Sequence, residues 1–131
     1  MSIREFADRF FKAEIEYCEK GNLDALEALE DPNVVFHMPS QDRAGRDKQA
    51  LLRMRQNVTD LRIEMKYLTG EGNLFAASWK VRFIQTRENP DRPETIGKVG
   101  KEATVEALMV FRLENGKIIE VWDWPRPTVY A

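Results

Sequence analysis

At residue 61 the apolar pattern changes period, and that change decides most of what this chain can fold into. Before it, Ile3, Phe6, Phe10, Ala13 and Tyr17 recur every three or four positions, the spacing of one face of an α-helix. After it, Leu61, Ile63, Met65 and Tyr67 alternate with Arg62, Glu64 and Lys66, the two-residue period of a half-buried strand. A helical first half followed by a stranded second half predicts an α+β fold, with three N-terminal helices packed on one face of a strongly curved, mainly antiparallel sheet.

Local signals place the boundaries. Ser2 and Glu5 have the spacing of a capping box, and Gly21 is placed to end the first helix in a left-handed turn. A second short helix through Leu23, Leu26 and Leu29 must stop near Pro32, because a proline pushes the residue before it out of helical geometry. Val34 to Met38 reads as a short strand and Pro39 to Gly45 as a loop. Asp47 to Asn57 reads as a helix with Ala50, Leu51, Met54 and Val58 sharing a face. Gly70-Glu71-Gly72-Asn73 turns the chain into a strand over Leu74–Gln85. Asn115-Gly116 is a two-residue hairpin signal between Val99–Leu113 and Ile118–Trp124. The loop from Arg87 to Glu94, with Pro90 and Pro93, is expected to project into solvent.

Of the 131 residues, 33 are Leu, Ile, Val or Phe, enough for one folded domain spanning 1–131. Twenty basic and 22 acidic side chains leave a net charge of −2 with both signs interspersed, which argues against nucleic acid or an anionic membrane as partner. Cys18 is the single cysteine and His37 the single histidine, so a disulfide framework, a multi-cysteine zinc site and a histidine-rich metal site are excluded. The opening residues MSIREFADRF lack the basic stretch and apolar run of a signal peptide, and no apolar run is long enough to span a membrane, so a soluble, cytoplasmic protein is expected. No glycine-rich phosphate loop, nucleophile elbow or metal-ligand spacing occurs, and no cofactor is expected.

Three stretches, taken together, resemble a known family. They are Tyr17 to Leu26 (YCEKGNLDAL), Phe36-His37-Met38-Pro39, and Phe111-Arg112-Leu113 followed by Asn115 to Asp123 (NGKIIEVWD). In order and spacing the chain resembles the SnoaL-like branch of the nuclear transport factor-like superfamily over nearly its whole length. The resemblance implies a cone-shaped α+β barrel with an apolar pocket between the concave sheet face and the first helix, usually in a homodimer. It also implies a range of functions, from polyketide ring closure and steroid isomerisation to non-catalytic binding, among which fold does not choose.

The polar residues of the expected pocket must choose. If Ile119 and Val121 face the cavity, alternation brings Asp123 there too. A carboxyl among apolar groups has a raised pKa and can move a proton near neutral pH, and SnoaL-like cyclases resemble this arrangement. The plain alternative is a solvated aspartate at a strand end. Glu14 lies on the buried helix stripe between Phe10 and Tyr17, either as a second pocket carboxylate or as an ion-paired flank residue. His37 is the third candidate, although alternation sets it on the face opposite Phe36 and Met38. In ketosteroid isomerases, which share this fold, the helix tyrosine and the two functional aspartates fall by spacing at Glu14, Met38 and Met109. All three are replaced, so that mechanism is disfavoured while the pocket assignment of the positions is supported. Phe10, Tyr17, Met38, Met54, Trp79, Val81, Met109, Phe111 and Val121 are the expected lining for a small hydrophobic molecule, or alternatively plain core.

Two functions follow as expectations. One is a cofactor-independent lyase, cyclase or isomerase with Asp123 as acid/base and Glu14 or His37 assisting. The other is a binding or carrier protein for a hydrophobic metabolite. Trp122 and Trp124, on the outer sheet face, predict a homodimer through that face.

Overall fold

The computed structural model describes residues 1–39, 42–45, 48–90 and 92–131. Helix α1 (Ile3–Lys20) begins where Ser2 Oγ accepts the Glu5 amide at 3.1 Å. It ends at Gly21, whose φ of 73° is left-handed and whose amide donates to the Tyr17 carbonyl at 2.8 Å. Its stripe of Phe6, Ala7, Phe10, Ala13, Tyr17 and Cys18 is buried. Helix α2 (Asp24–Leu29) is six residues long and buries Leu26.

The chain then enters strand β1 (Glu30–His37), four residues earlier than the sequence pattern suggests. Pro32 is tolerated because the β1 pairing is irregular between Glu30 and Val35. A short strand β2 (Asp42–Ala44), within what reads as loop, folds back antiparallel on β1. Helix α3 (Lys48–Gln56) follows; Asp47 and the Ala50 side chain lie outside what is described. Leu51 packs against the core, and the Tyr17 hydroxyl donates to its carbonyl at 2.9 Å. Arg55, one turn on, donates to the Cys18 carbonyl at 3.0 Å. With Leu51 and Arg55 turned toward α1, Met54 is left 37% exposed and is not part of the interior. Val58, expected on the same helical face, already belongs to the next strand.

Strands β3 (Val58–Glu71), β4 (Leu74–Gln85), β5 (Glu102–Glu114) and β6 (Lys117–Pro125) form the antiparallel meander expected from the two-residue period. Asn115 and Gly116, at φ 52° and 75°, make the hairpin turn between β5 and β6. Strand β1 closes on β6 in parallel, and a two-residue β7 (Val129–Tyr130) pairs with β5. The order β2-β1-β6-β5-β4-β3 is therefore a curved, open, mixed sheet, with α1 laid across its concave face against β3 and β4.

Three irregularities reset which side chains face inward. The β3–β4 register skips between Thr59 and Arg62, where Asp60 has a left-handed φ of 54°, and again between Met65 and Tyr67. The β5–β6 register skips between Arg112 and Leu113. Each extra residue reverses the alternation beyond it. Tyr67, expected inside with Leu61, Ile63 and Met65, is consequently 75% exposed, and Leu68 takes the inner place. On β6, Ile118 and Val121 are both buried and Ile119 is only partly so, which corrects the expected inward set of Ile119, Val121 and Asp123.

The connection after β4 is longer and more structured than expected. Val99 is exposed rather than stranded, and β5 starts at Glu102. A 3₁₀ turn over Pro93–Thr95 buries Thr95, whose hydroxyl accepts the Asn89 amide and lies 2.8 Å from the Arg92 carbonyl. The loop is thus tied down at its own centre.

Between α1 and the sheet lies an aromatic core. The Phe10 ring meets Phe111 at 4.6 Å, Phe75 at 5.7 Å and Trp79 at 5.9 Å, and Phe75 stacks on Phe111 at 4.4 Å. Urea unfolding should show the contrast between this core and the bulged strand. Phe111→Ala is expected to lose about 3–5 kcal/mol. Tyr67→Ala should cost much less than Phe111→Ala, whereas an inward Tyr67 would have made the two losses similar.

Candidate functional site

Asp123 stands near the end of β6, in register with Met109 of β5. On the other side, β1 and β6 run parallel with His37 opposite Trp122. The carboxyl has Met109 as its partner in register on β5. Its Oδ1 is buried and, among the described residues, has no hydrogen-bond partner. Burial alone raises the Asp123 carboxyl above its ordinary value; no charged group contributes. Of the two positions singled out with Asp-bearing isomerases in mind, Met109 is the register partner of Asp123 and Met38 follows the last residue of β1.

The other expected residues divide. Phe10, Tyr17, Trp79, Phe111 and Val121 are buried members of the core, Met109 is barely accessible, and Val81 packs against them half-buried. Tyr17 spends its hydroxyl on Leu51, so it braces α3. Glu14 is half-buried on α1 and has interactions of its own, and its charge acts on Cys18 rather than on Asp123. Burial first, then the Glu14 charge, pushes the Cys18 thiol up to about 12, which makes it a poor nucleophile.

His37 lies on the outer face of the sheet. Its ring stacks on Trp122 at 5.3 Å, its Nδ1 is 2.9 Å from Asp42 Oδ1, and its Nε2 is 2.6 Å from Glu120 Oε2. Alternation along β6 puts Trp122 and Asp123 on opposite faces, so the structure does not bring His37 to Asp123. Glu120 is also held by Arg112, whose Nε and Nη2 both lie 2.9 Å from Oε1. Sequence reasoning placed Trp122 on the outer face, but it had no signal for Asp42, because three residues of edge strand carry too little pattern to be read. The two carboxylates hold opposite nitrogens of one ring and do not converge on a point. No group of three such ligands suited to a metal ion occurs among the described residues.

Two grooves stand out elsewhere. One, of about 420 Å³, lies by the hairpin turns between Met1, Ile3, Phe6, Arg9, Leu29 and Leu113. The other, of about 660 Å³, runs along the start of β3 beside Cys18, Glu19 and Arg55. Neither was legible in the sequence, and neither is lined by Asp123.

This geometry meets an independent finding: the chain belongs to the SnoaL-like domain family, which matches residues 4–121. Among solved structures it is similar to AclR from Streptomyces galilaeus, provisionally described as a hydroxylase, with TM-score 0.79, 17% identity, and coverage of 95% of this chain and 91% of that one. It is similar to TsrD from Streptomyces laurentii, with TM-score 0.77, 19% identity, and 95% and 91% coverage. It is also similar to IdmH from Streptomyces antibioticus, provisionally described as a polyketide cyclase, with TM-score 0.67, 21% identity, and 91% of each chain covered. No curated protein matches the chain significantly. At these identities the likeness establishes the fold.

The burial of Asp123 has a thermodynamic signature. Its folded pKa is raised above the unfolded value, so the folded state binds more protons between the two and loses stability as pH rises through that window. Asn at this position does not titrate. The stability of Asp123→Asn relative to the native chain should therefore increase as pH rises above the ordinary aspartate value and level off once the folded carboxyl is ionised, as read by urea unfolding at several pH values.

Proposed function

We propose that this protein is a cofactor-independent lyase, cyclase or isomerase of the SnoaL-like type, acting on a small hydrophobic carbonyl compound with Asp123 as its acid/base group. The observation that carries the reading is the interior carboxyl whose Oδ1 has no hydrogen-bond partner among the described residues and whose proton is favoured by burial. A neutral carboxyl in an apolar setting can donate to a carbonyl oxygen, and its carboxylate form, destabilised by the same burial, is a stronger base than an exposed aspartate. Met109, its partner in register on β5, offers a soft, adaptable surface beside it, suited to a flat apolar ligand. His37 is left out of the assignment, and Glu14 has no direct charge effect on Asp123.

The test is proton exchange at the carbon next to the carbonyl, followed by NMR in deuterated water across a panel of cyclisable polyketides and small hydrophobic ketones. Asp123→Asn should abolish exchange and turnover while melting no lower than the native chain; full activity in this variant would sink the assignment. A carrier of a hydrophobic metabolite gives a different pattern. Ligands would then add about 2.7 kcal/mol of stability at a hundredfold excess over Kd, and none would be altered on long incubation.

A second copy of the chain is the proposed partner for the outer sheet face. Tyr67, Ser78, Leu108 and Trp124 are neighbours in register across four strands, and Tyr67, Leu108 and Trp124 are each at least half exposed or close to it. The Lys66–Glu106 ion pair borders this apolar row on one side and the Arg112–Glu120 pair lies further along the same face. Such a row, apolar in the centre and polar at its margins, suits a self-complementary two-fold contact. Sedimentation should give a dimer for the native chain and a monomer for Trp124→Glu; equal masses for both would remove the outer face from consideration.

A further inference from the structure

The polar cluster around His37 has a composition that only one protonation state satisfies. A neutral imidazole has one N–H donor and one bare acceptor nitrogen, whereas here both ring nitrogens face carboxylate oxygens, at 2.9 and 2.6 Å. With one proton missing, one carboxylate would meet a lone pair. The ring is fixed in place by its stack on Trp122, and Glu120 is fixed by the two contacts from Arg112, so neither can swing away to relieve the conflict. Asp42 is the member that can. It belongs to β2, a three-residue edge strand that pairs only with β1.

We propose that protonated His37 is a clasp that holds edge strand β2 and the end of β1 to β6, and that loss of its proton releases β2. Among the described residues, the charged groups facing the ring are Asp42 from β2 and Glu120 from β6. Arg112 of β5 stands behind Glu120, with Glu114 3.8 Å from that arginine. The remaining charge on β2, Arg43, is in register with Phe36 rather than with His37. The bonds to Asp42 and then to Glu120 hold the proton on His37 to higher pH than usual, and the bonds from His37 and then Arg112 hold Glu120 ionised to lower pH than usual. The clasp therefore has a window. It closes above the pH where Glu120 gains its proton and opens as pH rises through the folded pKa of His37. The clasp itself does not depend on Asp123 being catalytic.

The chain's single histidine makes the experiment unambiguous. NMR titration of the His37 ring gives its pKa, and the Gly45 amide, which donates to the Val34 carbonyl at 2.7 Å, reports on the β1–β2 edge through hydrogen exchange corrected for its intrinsic pH dependence. The expected result is a His37 pKa above 6.5 that falls in both Asp42→Asn and Glu120→Gln. Gly45 protection should fall across the same titration, about tenfold for each pKa unit above the ordinary value, and His37→Gln should show no such step. Amides of the β4–β5 ladder should keep their protection throughout, and the step should persist in Trp124→Glu. A His37 pKa at or below 6.5, a Gly45 amide without a step, a step shared equally by β4–β5, or one lost in Trp124→Glu would each overturn the clasp.

Discussion

The contact on which the rest of this structure depends is the one between Phe10 and the concave face of the sheet. Helix α1 covers the sheet by driving one ring among Phe75 and Trp79 of β4 and Phe111 of β5, the register partner of Phe75. That packing fixes where α1 lies, and α1 in turn fixes α3, through Tyr17 on Leu51 and Arg55 on the last turn of α1. Gly70 completes the fit at the helix start, since a Cβ there would come within 3.1 Å of Ile3 and Phe75. Aromatic area therefore sets α1 on the sheet, and two polar bonds then carry α3.

Asp123 and His37 show how the two faces of one sheet can carry opposite electrostatic logic. On the inner face a carboxyl that has, among the described residues, no hydrogen bond at one oxygen is pushed toward its neutral form by burial. On the outer face, one residue earlier and one strand over, the Glu120 carboxylate is held ionised by a histidine and an arginine. The 180° alternation of a strand is sufficient to separate the two within a few residues, so proton chemistry inside need not be coupled directly to ion pairing outside.

Much of this was readable from residues. Ser2, Glu5 and Gly21 bound the first helix by cap chemistry, and Asn115-Gly116 set a hairpin whose φ values only such residues adopt readily. The interior position of Asp123 followed from alternation, even though its stated neighbour Ile119 did not share the face. What escaped reading has a common cause. Tyr67, Ile119 and the start of β3 are displaced by register skips, and a bulge is a property of two strands together, leaving little mark on either alone. Met54 escaped for a related reason: its helical face was right, but Leu51 and Arg55 decided which side of that face met α1. The pairing of β1 with β6, and of His37 with Asp42, joins residues whose partners no local pattern announces.

The register skips in β3 have one more consequence. This fourteen-residue strand is the terminal member of the sheet, and its free side offers a long row of unpaired amides and carbonyls to any passing chain. A flat strand of that length would template the addition of another molecule. Two interruptions, one bearing a left-handed Asp60, break the row into short stretches of different phase, while the opposite border is only the three residues of β2. The same irregularities that turn Tyr67 outward thus guard an open sheet against growing into a fibre.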